Sequence, residues 1–294
     1  MARSTFYYHI KRIGQSDGYD DLRARIREIY DQHKGRYGYR RITIQLRDKG
    51  VVVNHKTVRK LMVGMSLKAK RRNQRYRSYK GNVGKIAPNV INRDFSADAP
   101  NKKWTTDVTQ VKIKERKLFL SPILDMFNGE IISYQISSSP DMKMVLTMLK
   151  KAFNKKNDLS GLILHSDQGW QYQQQRYQDI LKERGIIQSM SRKGNCLDNS
   201  MMENFFGLMK SELLYLQDWE SVDEFKKELK AYIKYYNNDR IKLRLKGKSP
   251  VQYRTLYQVN AYTQRNNYEI TNTDEAVNVV CCIIKRDGKY LLEY

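Results

Sequence analysis

Apolar residues recur at helical spacing through the first part of the chain. Leu22, Ile26 and Ile29 fall at i, i+4 and i+7 and predict a helix over residues 20–30, which Asp20 or Asp21 can cap. Gly35 and Gly38 interrupt the pattern in Gly35-Arg36-Tyr37-Gly38-Tyr39. Ile42 and Leu46 mark a second helix over 40–49, stopped by Gly50. Val58, Leu61 and Met62 mark a third over 55–63, with Asn54 placed to cap it. From Trp104 the texture changes to strands. Residues 104–113, 117–124 and 130–137 are rich in β-formers, with turns at Glu115-Arg116 and Asn128-Gly129, the latter suited to a type I′ hairpin. A helix over 142–154, with Val145, Leu146, Leu149 and Phe153 inward, leads to a short apolar strand at 162–164. Then come a helix over 173–184, a strand at 186–187 and helices over 199–214 and 222–238. Three antiparallel strands followed by helix–strand–helix–strand predict a mixed α/β sheet with helices on both faces.

Charge adds a partner to this picture. The 294 residues carry 55 Lys plus Arg against 31 Asp plus Glu, a net charge of +24. Residues 1–100 hold a net +16, residues 101–257 a net +9, and residues 258–294 a net −1. No acid occurs between Asp48 and Asp94, and Lys68, Lys70, Arg71, Arg72, Arg75, Arg77 and Lys80 surround Tyr76 and Tyr79. Such a run is either a solvated arm or a set of phosphate contacts; its length and interleaved aromatics favour nucleic acid. On the third helix Lys56, Arg59 and Lys60 point outward. That is the pattern of a DNA-reading helix-turn-helix, and equally of an ordinary helical hairpin with solvated charges.

No apolar run reaches the roughly 18 residues of a membrane span, and the first residues carry no secretory signal, so a cytoplasmic protein without a membrane partner is expected. Cys196, Cys281 and Cys282 are too few and too badly spaced for a disulfide framework, and the four histidines lie far from them.

Three acids stand where chemistry is expected. Asp107 lies within the first predicted strand, Asp167 directly follows the apolar strand, and Glu203 rides on the helix over 199–214 at the margin of its buried stripe. A charge inside a β-branched strand is costly unless paired or metal-bound, and ligands of open α/β sheets gather beyond the carboxyl ends of strands. Lys210 falls two turns after Glu203 on the same side. Taken singly each acid is most simply structural; the three together in a basic protein point to a site. Asp198 and Asn199 are expected to cap the Glu203 helix, His165 to be structural, and Asp125 to close a strand.

From Asp167 to Glu203 there are 35 intervening residues. That spacing, with Tyr37-Gly38-Tyr39-Arg40-Arg41-Ile42, Asn92-Arg93-Asp94-Phe95, Trp104-Thr105-Thr106-Asp107 and Ile123-Leu124-Asp125, resembles the DDE transposases of bacterial insertion sequences, relatives of retroviral integrases. The matches continue through His165-Ser166-Asp167-Gln168-Gly169, Ser189-Met190-Ser191-Arg192-Lys193-Gly194-Asn195, Leu197-Asp198-Asn199, Glu203-Asn204-Phe205-Phe206 and Tyr235-Tyr236-Asn237. The resemblance implies a ribonuclease-H-like core with a mixed five-stranded sheet over residues 100–257. Before it would come a small helical helix-turn-helix-like region over 1–67 and a basic linker over 68–99. It implies that Asp107, Asp167 and Glu203 hold two Mg²⁺ ions about 3.5–4 Å apart, with Mn²⁺ as a substitute, for cleavage of element ends and strand transfer. Lys210 would contact DNA near the cleaved end. The implied partners are double-stranded DNA (terminal inverted repeats and target), further copies of the chain assembled on DNA, and an upstream-frame protein, with a nucleoid location. Residues 258–294 have no place in the family pattern and read as a read-through or fusion. A non-catalytic repressor of transposition and a nuclease that only hydrolyses are the alternatives.

Overall fold

The computed structural model describes residues 3–12, 18–69, 85–154, 158–192 and 195–266. The chain divides near residue 72 into two compact units. The first contains α1 (Arg3–Arg12), α2 (Asp20–Gln32), α3 (Tyr39–Asp48) and α4 (His55–Gly64). Helices α2 to α4 bury Ile26, Ile29, Ile42, Leu46, Val58, Leu61 and Met62, the stripes expected from the sequence. Asn54 caps α4 by accepting from the Lys56 N–H at 2.8 Å. Asp20 and Asp21 instead lie inside the first turn of α2, where their charge suits the helix dipole; the cap position is Tyr19. The Tyr37-to-Ile42 motif is a packing device: Tyr37 is fully buried and stacks on His33 at 3.7 Å between ring centroids.

The second unit is built on β1 (Lys103–Thr106), β2 (Thr109–Ile113), β3 (Arg116–Asp125), β4 (Ile131–Ser137), β5 (Ile163–Ser166) and β6 (Ile187–Met190). β3 pairs antiparallel with β1, β2 and β4; β5 lies parallel to both β1 and β6. β1 and β2 keep one register against β3, Thr106 opposite Ile123 and Thr109 opposite Leu120, so they run end to end as one interrupted strand. Five strand positions therefore span the sheet, in the order β4, β3, β1/β2, β5, β6. The single strand expected over 104–113 is broken at Asp107 and Val108 for a chemical reason. The shared register puts Pro122 opposite Asp107, and Pro122 turns its carbonyl to this strand (Thr106 Oγ1 donates to it, 2.8 Å) but has no N–H to give.

One face of the sheet is covered by α5 (Met142–Phe153) and α6 (Gln175–Glu183), which bury Val145, Met148, Leu149, Tyr177 and Leu181 against Trp104, Ile123 and Leu164. The other face is covered by α7 (Ser200–Met209) and α8 (Val222–Asn238), packing Met202, Phe205, Phe206, Met209 and Phe225 on Val111, Leu120 and Leu124. A π-helical turn, Lys210–Leu214, extends α7. α9 (Pro250–Asn266) is not signalled by the apolar pattern, and it carries the second unit past the boundary expected at residue 257. Val259 is buried, and the Tyr257 ring lies 5.0 Å from that of Phe127.

The linker expected over 68–99 is in part a piece of the core. Met190 N donates to Pro88 O (3.2 Å), and Val90 N donates to Ser189 Oγ (2.9 Å), so this stretch runs along β6. Arg71, Arg72, Arg75 and Arg77 lie outside the described residues, as do residues 267–294, most of the stretch read as a read-through or fusion.

Candidate active site

Alternation along β1 decides which way Asp107 faces. Thr106 lies on the α5 side, 3.6 Å from Met148 Sδ, whereas Thr105 reaches Asn199 at the start of α7. Asp107, two residues beyond Thr105, falls on the α7 side. β5 repeats the arrangement. Thr105 is in register with His165, and continuing that parallel register sets Asp107 and Asp167 abreast at the carboxyl ends of neighbouring strands, about 4.8 Å apart in the pairing direction. Such ends are where open α/β sheets collect ligands.

Each carboxylate is oriented by a local N–H. Val108 N donates to Asp107 Oδ1 at 2.7 Å, and Gly169 N donates to Asp167 Oδ1 at 2.9 Å. Gly169 leaves room for the carboxylate: a Cβ there would stand 2.9 Å from Asp167 Oδ1 and 2.7 Å from Gln171 Nε2, so a larger residue would displace those side chains.

Glu203 reaches the same place from the first turn of α7. Asn199 ties this helix to the strand: its Oδ1 accepts from Thr105 Oγ1 at 2.5 Å and its Nδ2 donates to Thr106 O at 3.3 Å. The expectation that Asp198 and Asn199 cap α7 is thereby corrected. No side-chain capping bond forms, and Asn199 spends its amide on β1.

Asp107 feels the other two acids. Burial, then the charge of Asp167 and that of Glu203, push Asp107 well above the usual carboxylate range, against the Val108 N–H and Lys210. Burial raises Asp167 and Glu203 as well. Lys210, half-buried where α7 passes into its π turn, is lowered by burial and raised by the Asp107 charge, so it faces the acidic group. Among the described residues no three His, Cys, Asp or Glu side chains form a ready-made metal cage. Three carboxylates facing the single charge of Lys210 repel on balance, and the fit to a hard divalent cation lies in this oxygen-only donor set.

His165 is a structural residue, as expected. Fully buried, it bonds Ser189 Oγ through Nδ1 (2.9 Å) and Ser191 Oγ through Nε2 (3.1 Å), and burial holds it neutral with its pKa lowered to about 4. Asp125 is also structural: buried and raised to about 6 by that burial, it accepts the Asn101 and Phe127 N–H groups. Sequence reasoning missed Tyr172. Its hydroxyl is buried and feels the charges of Asp107 and Asp167, yet nothing in its glutamine-rich surroundings signals this. In the first unit, Lys56, Arg59 and Lys60 are exposed on α4, with the Arg59 guanidinium 5.9 Å from the centre of the Tyr39 ring.

The chain matches an integrase core domain over residues 97–196 and a second integrase core domain model over 203–256, with an HTH-like domain over 19–75. It is 55% identical over 254 residues to the InsK transposase of insertion element IS150 from Escherichia coli, covering 86% of this chain and 90% of that protein. The chain belongs to the insertion-sequence transposases. A transposase of element IS904 from Lactococcus lactis is 41% identical over 78% of this chain and 91% of its own length. A magnesium-bound HTLV-2 integrase catalytic core aligns over 53% of this chain and 98% of its own, at 22% identity and a TM-score of 0.44. By its family this transposase joins an HTH-like unit to an integrase-type polynucleotidyl-transferase core built on a mixed sheet with helices on both faces. Among the described residues no helix is long and apolar enough to cross a membrane.

Proposed function

We propose that this transposase cleaves the ends of its insertion element and joins them to target DNA with Asp107, Asp167 and Glu203 as the catalytic carboxylates. The observation that carries the reading is the pair Asp107 and Asp167 abreast on one face of the sheet, with the Glu203 helix tied to the strand bearing Asp107. The three acids would hold two Mg²⁺ ions, or Mn²⁺, which when bound would supply Lewis acidity for a water or 3′-hydroxyl nucleophile and for the leaving oxygen. The protein's own share is orientation. The Val108 and Gly169 N–H groups fix the two aspartates, Asn199 sets the depth of Glu203, and Lys210 offsets negative charge where a phosphate must approach.

Lys56, Arg59 and Lys60 on α4, with Arg71, Arg72, Arg75 and Arg77 beyond it, supply contacts to duplex DNA, the first three in the manner of a recognition helix. Assembly of several copies on DNA, cooperation with an upstream-frame protein and a place at the nucleoid belong to the same reading.

Glu203→Gln tests it. The amide preserves shape and removes the charge, so cleavage and strand transfer on an end-containing duplex with Mg²⁺ are lost while DNA binding stays near wild type. Activity persisting in the variant removes Glu203 from the site. Joined products from the wild type separate this reading from simple hydrolysis, and a wild type that binds but never cuts would be a repressor.

A further inference from the structure

Three motifs supply none of the catalytic carboxylates: Asn92-Arg93-Asp94-Phe95, the stretch ending Arg192-Lys193-Gly194-Asn195, and Leu197-Asp198-Asn199. They meet at one buried carboxylate. Asp198 accepts from Asn89 Nδ2 (3.1 Å), Arg93 Nε (2.9 Å), the Arg192 backbone N (3.0 Å), Arg192 Nε (2.9 Å) and Arg192 Nη2 (2.8 Å). Its side chain is 0% exposed, whereas those of Arg93 and Arg192 are 45% and 51% exposed.

Two guanidiniums therefore share one negative charge, and one positive charge is left over on their solvent side. Arg93 engages Asp198 through Nε alone, so its two terminal amino groups remain for another acceptor. The backbone bends to arrange this: Asn92 and Arg93 both adopt left-handed conformations, φ 45° and 66°. An arginine in that region is uncommon and costs energy, and such outliers cluster where function needs them. The pair also sits close to the acids. Asn199, next to Asp198, bonds Thr105 and Thr106 just before Asp107, and Glu203 follows five residues after Asp198.

We propose that Arg93 and Arg192, braced by Asp198, form a clamp for a backbone phosphate of duplex DNA at the entrance of the helix bearing Glu203. The choice of duplex DNA as the ligand rests on the transposase reading above. The chemistry fits. Guanidinium forks match phosphate oxygens in pairs, the brace removes most of the side-chain entropy lost on binding, and a fixed cation offsets the repulsion between phosphate and the nearby carboxylates. Because phosphates carry no sequence information, the clamp positions DNA without selecting it.

Phenylglyoxal modification of the full-length wild type, mapped by mass spectrometry with and without a random-sequence duplex, tests the proposal directly. Both arginines should become protected when DNA binds. In parallel, the double variant Arg93→Gln/Arg192→Gln should weaken binding to any duplex and flatten the log–log salt dependence by about one unit, the share of one phosphate contact, while Arg93→Lys/Arg192→Lys keeps most of the slope. Equal modification with and without DNA overturns the clamp, as does a folded Gln variant with the wild-type slope. If the Gln variant does not fold, the protection measured on the wild type decides alone. Strand cleavage by unmodified wild type on an end-containing duplex with Mg²⁺ separates the two claims: protection without cleavage leaves the clamp and removes the catalytic reading, and cleavage without protection does the reverse.

Discussion

Replacing Arg240 should damage the second unit far more than replacing any surface arginine. Its guanidinium donates to Glu212 through Nε (2.8 Å) and Nη2 (2.6 Å), and Tyr232 Oη donates to the same carboxylate at 3.1 Å. The two side chains are 2% and 5% exposed, and Arg240 also lies 5.7 Å from the centre of the Tyr236 ring. Arg240→Met keeps most of the volume but strands a buried carboxylate, a change that costs about 3–5 kcal/mol. At roughly 2–4 °C per kcal/mol for a unit of this size, melting should fall by about 6–20 °C. The exposed pair Lys226–Asp223 provides the contrast: Lys226→Gln should leave melting unchanged. Adding Glu212→Met to Arg240→Met removes the stranded charge and should recover much of the loss, because the cost lies in breaking the pair rather than in lacking it. Glu212 stands two residues after Lys210 in the π turn, so the single variant should also impair cleavage in protein that is still folded at the assay temperature. Thermal and urea unfolding of the singles and the double variant form the assay. A single variant within about 1 kcal/mol of wild type, or a double variant as unstable as the sum of the singles, would refute the reasoning.

Other outcomes follow from the site and its borders. Asp107 is raised, so its own contribution to the stability of the metal-free protein is greatest below the ordinary carboxylate range and is lost as pH rises towards the folded pKa. Asp107→Asn should remove that loss, melt higher at neutral pH without divalent cation, abolish cleavage, and no longer be stabilised by added Mg²⁺. His165 is lowered from 6.5 to about 4, so its neutral form supports the fold above pH 6.5 and stability drains as pH falls through that window, by about 3 kcal/mol in all. His165→Asn should flatten this part of the pH profile of unfolding, and an unchanged slope would clear His165 of the effect. Ending the chain at Tyr257 removes the last turns of α9 with buried Val259, and should cost about 1–2 kcal/mol relative to a chain ending at Asn266, read by chemical unfolding. Equal stability of the two would mean that these turns add nothing to the core.

Much of this protein could be read before any coordinates. Helices α2 to α4 and α8 announce themselves by stripes such as Phe225, Leu229, Tyr232, Ile233 and Tyr236, because an amphipathic period is a local consequence of burying one side. The three acids stood out as candidates because Asp107 falls inside a β-branched strand, Asp167 just after an apolar one and Glu203 at the margin of a buried helical stripe. What lay beyond reach were properties of contacts distant in sequence. Asp107 interrupts its strand because Pro122, on the strand beside it, cannot donate a hydrogen bond. Asn199 ignores the helix it precedes because Thr105, 94 residues away, offers a better use of its amide. Arg93, Arg192 and Asp198 read as three unrelated charges until the chain along β6 brings them together. Local spacing determines which elements form and which faces they bury; pairing between distant strands and the satisfaction of buried polar groups decide where the functional side chains point, and those terms exist only once the chain has closed on itself.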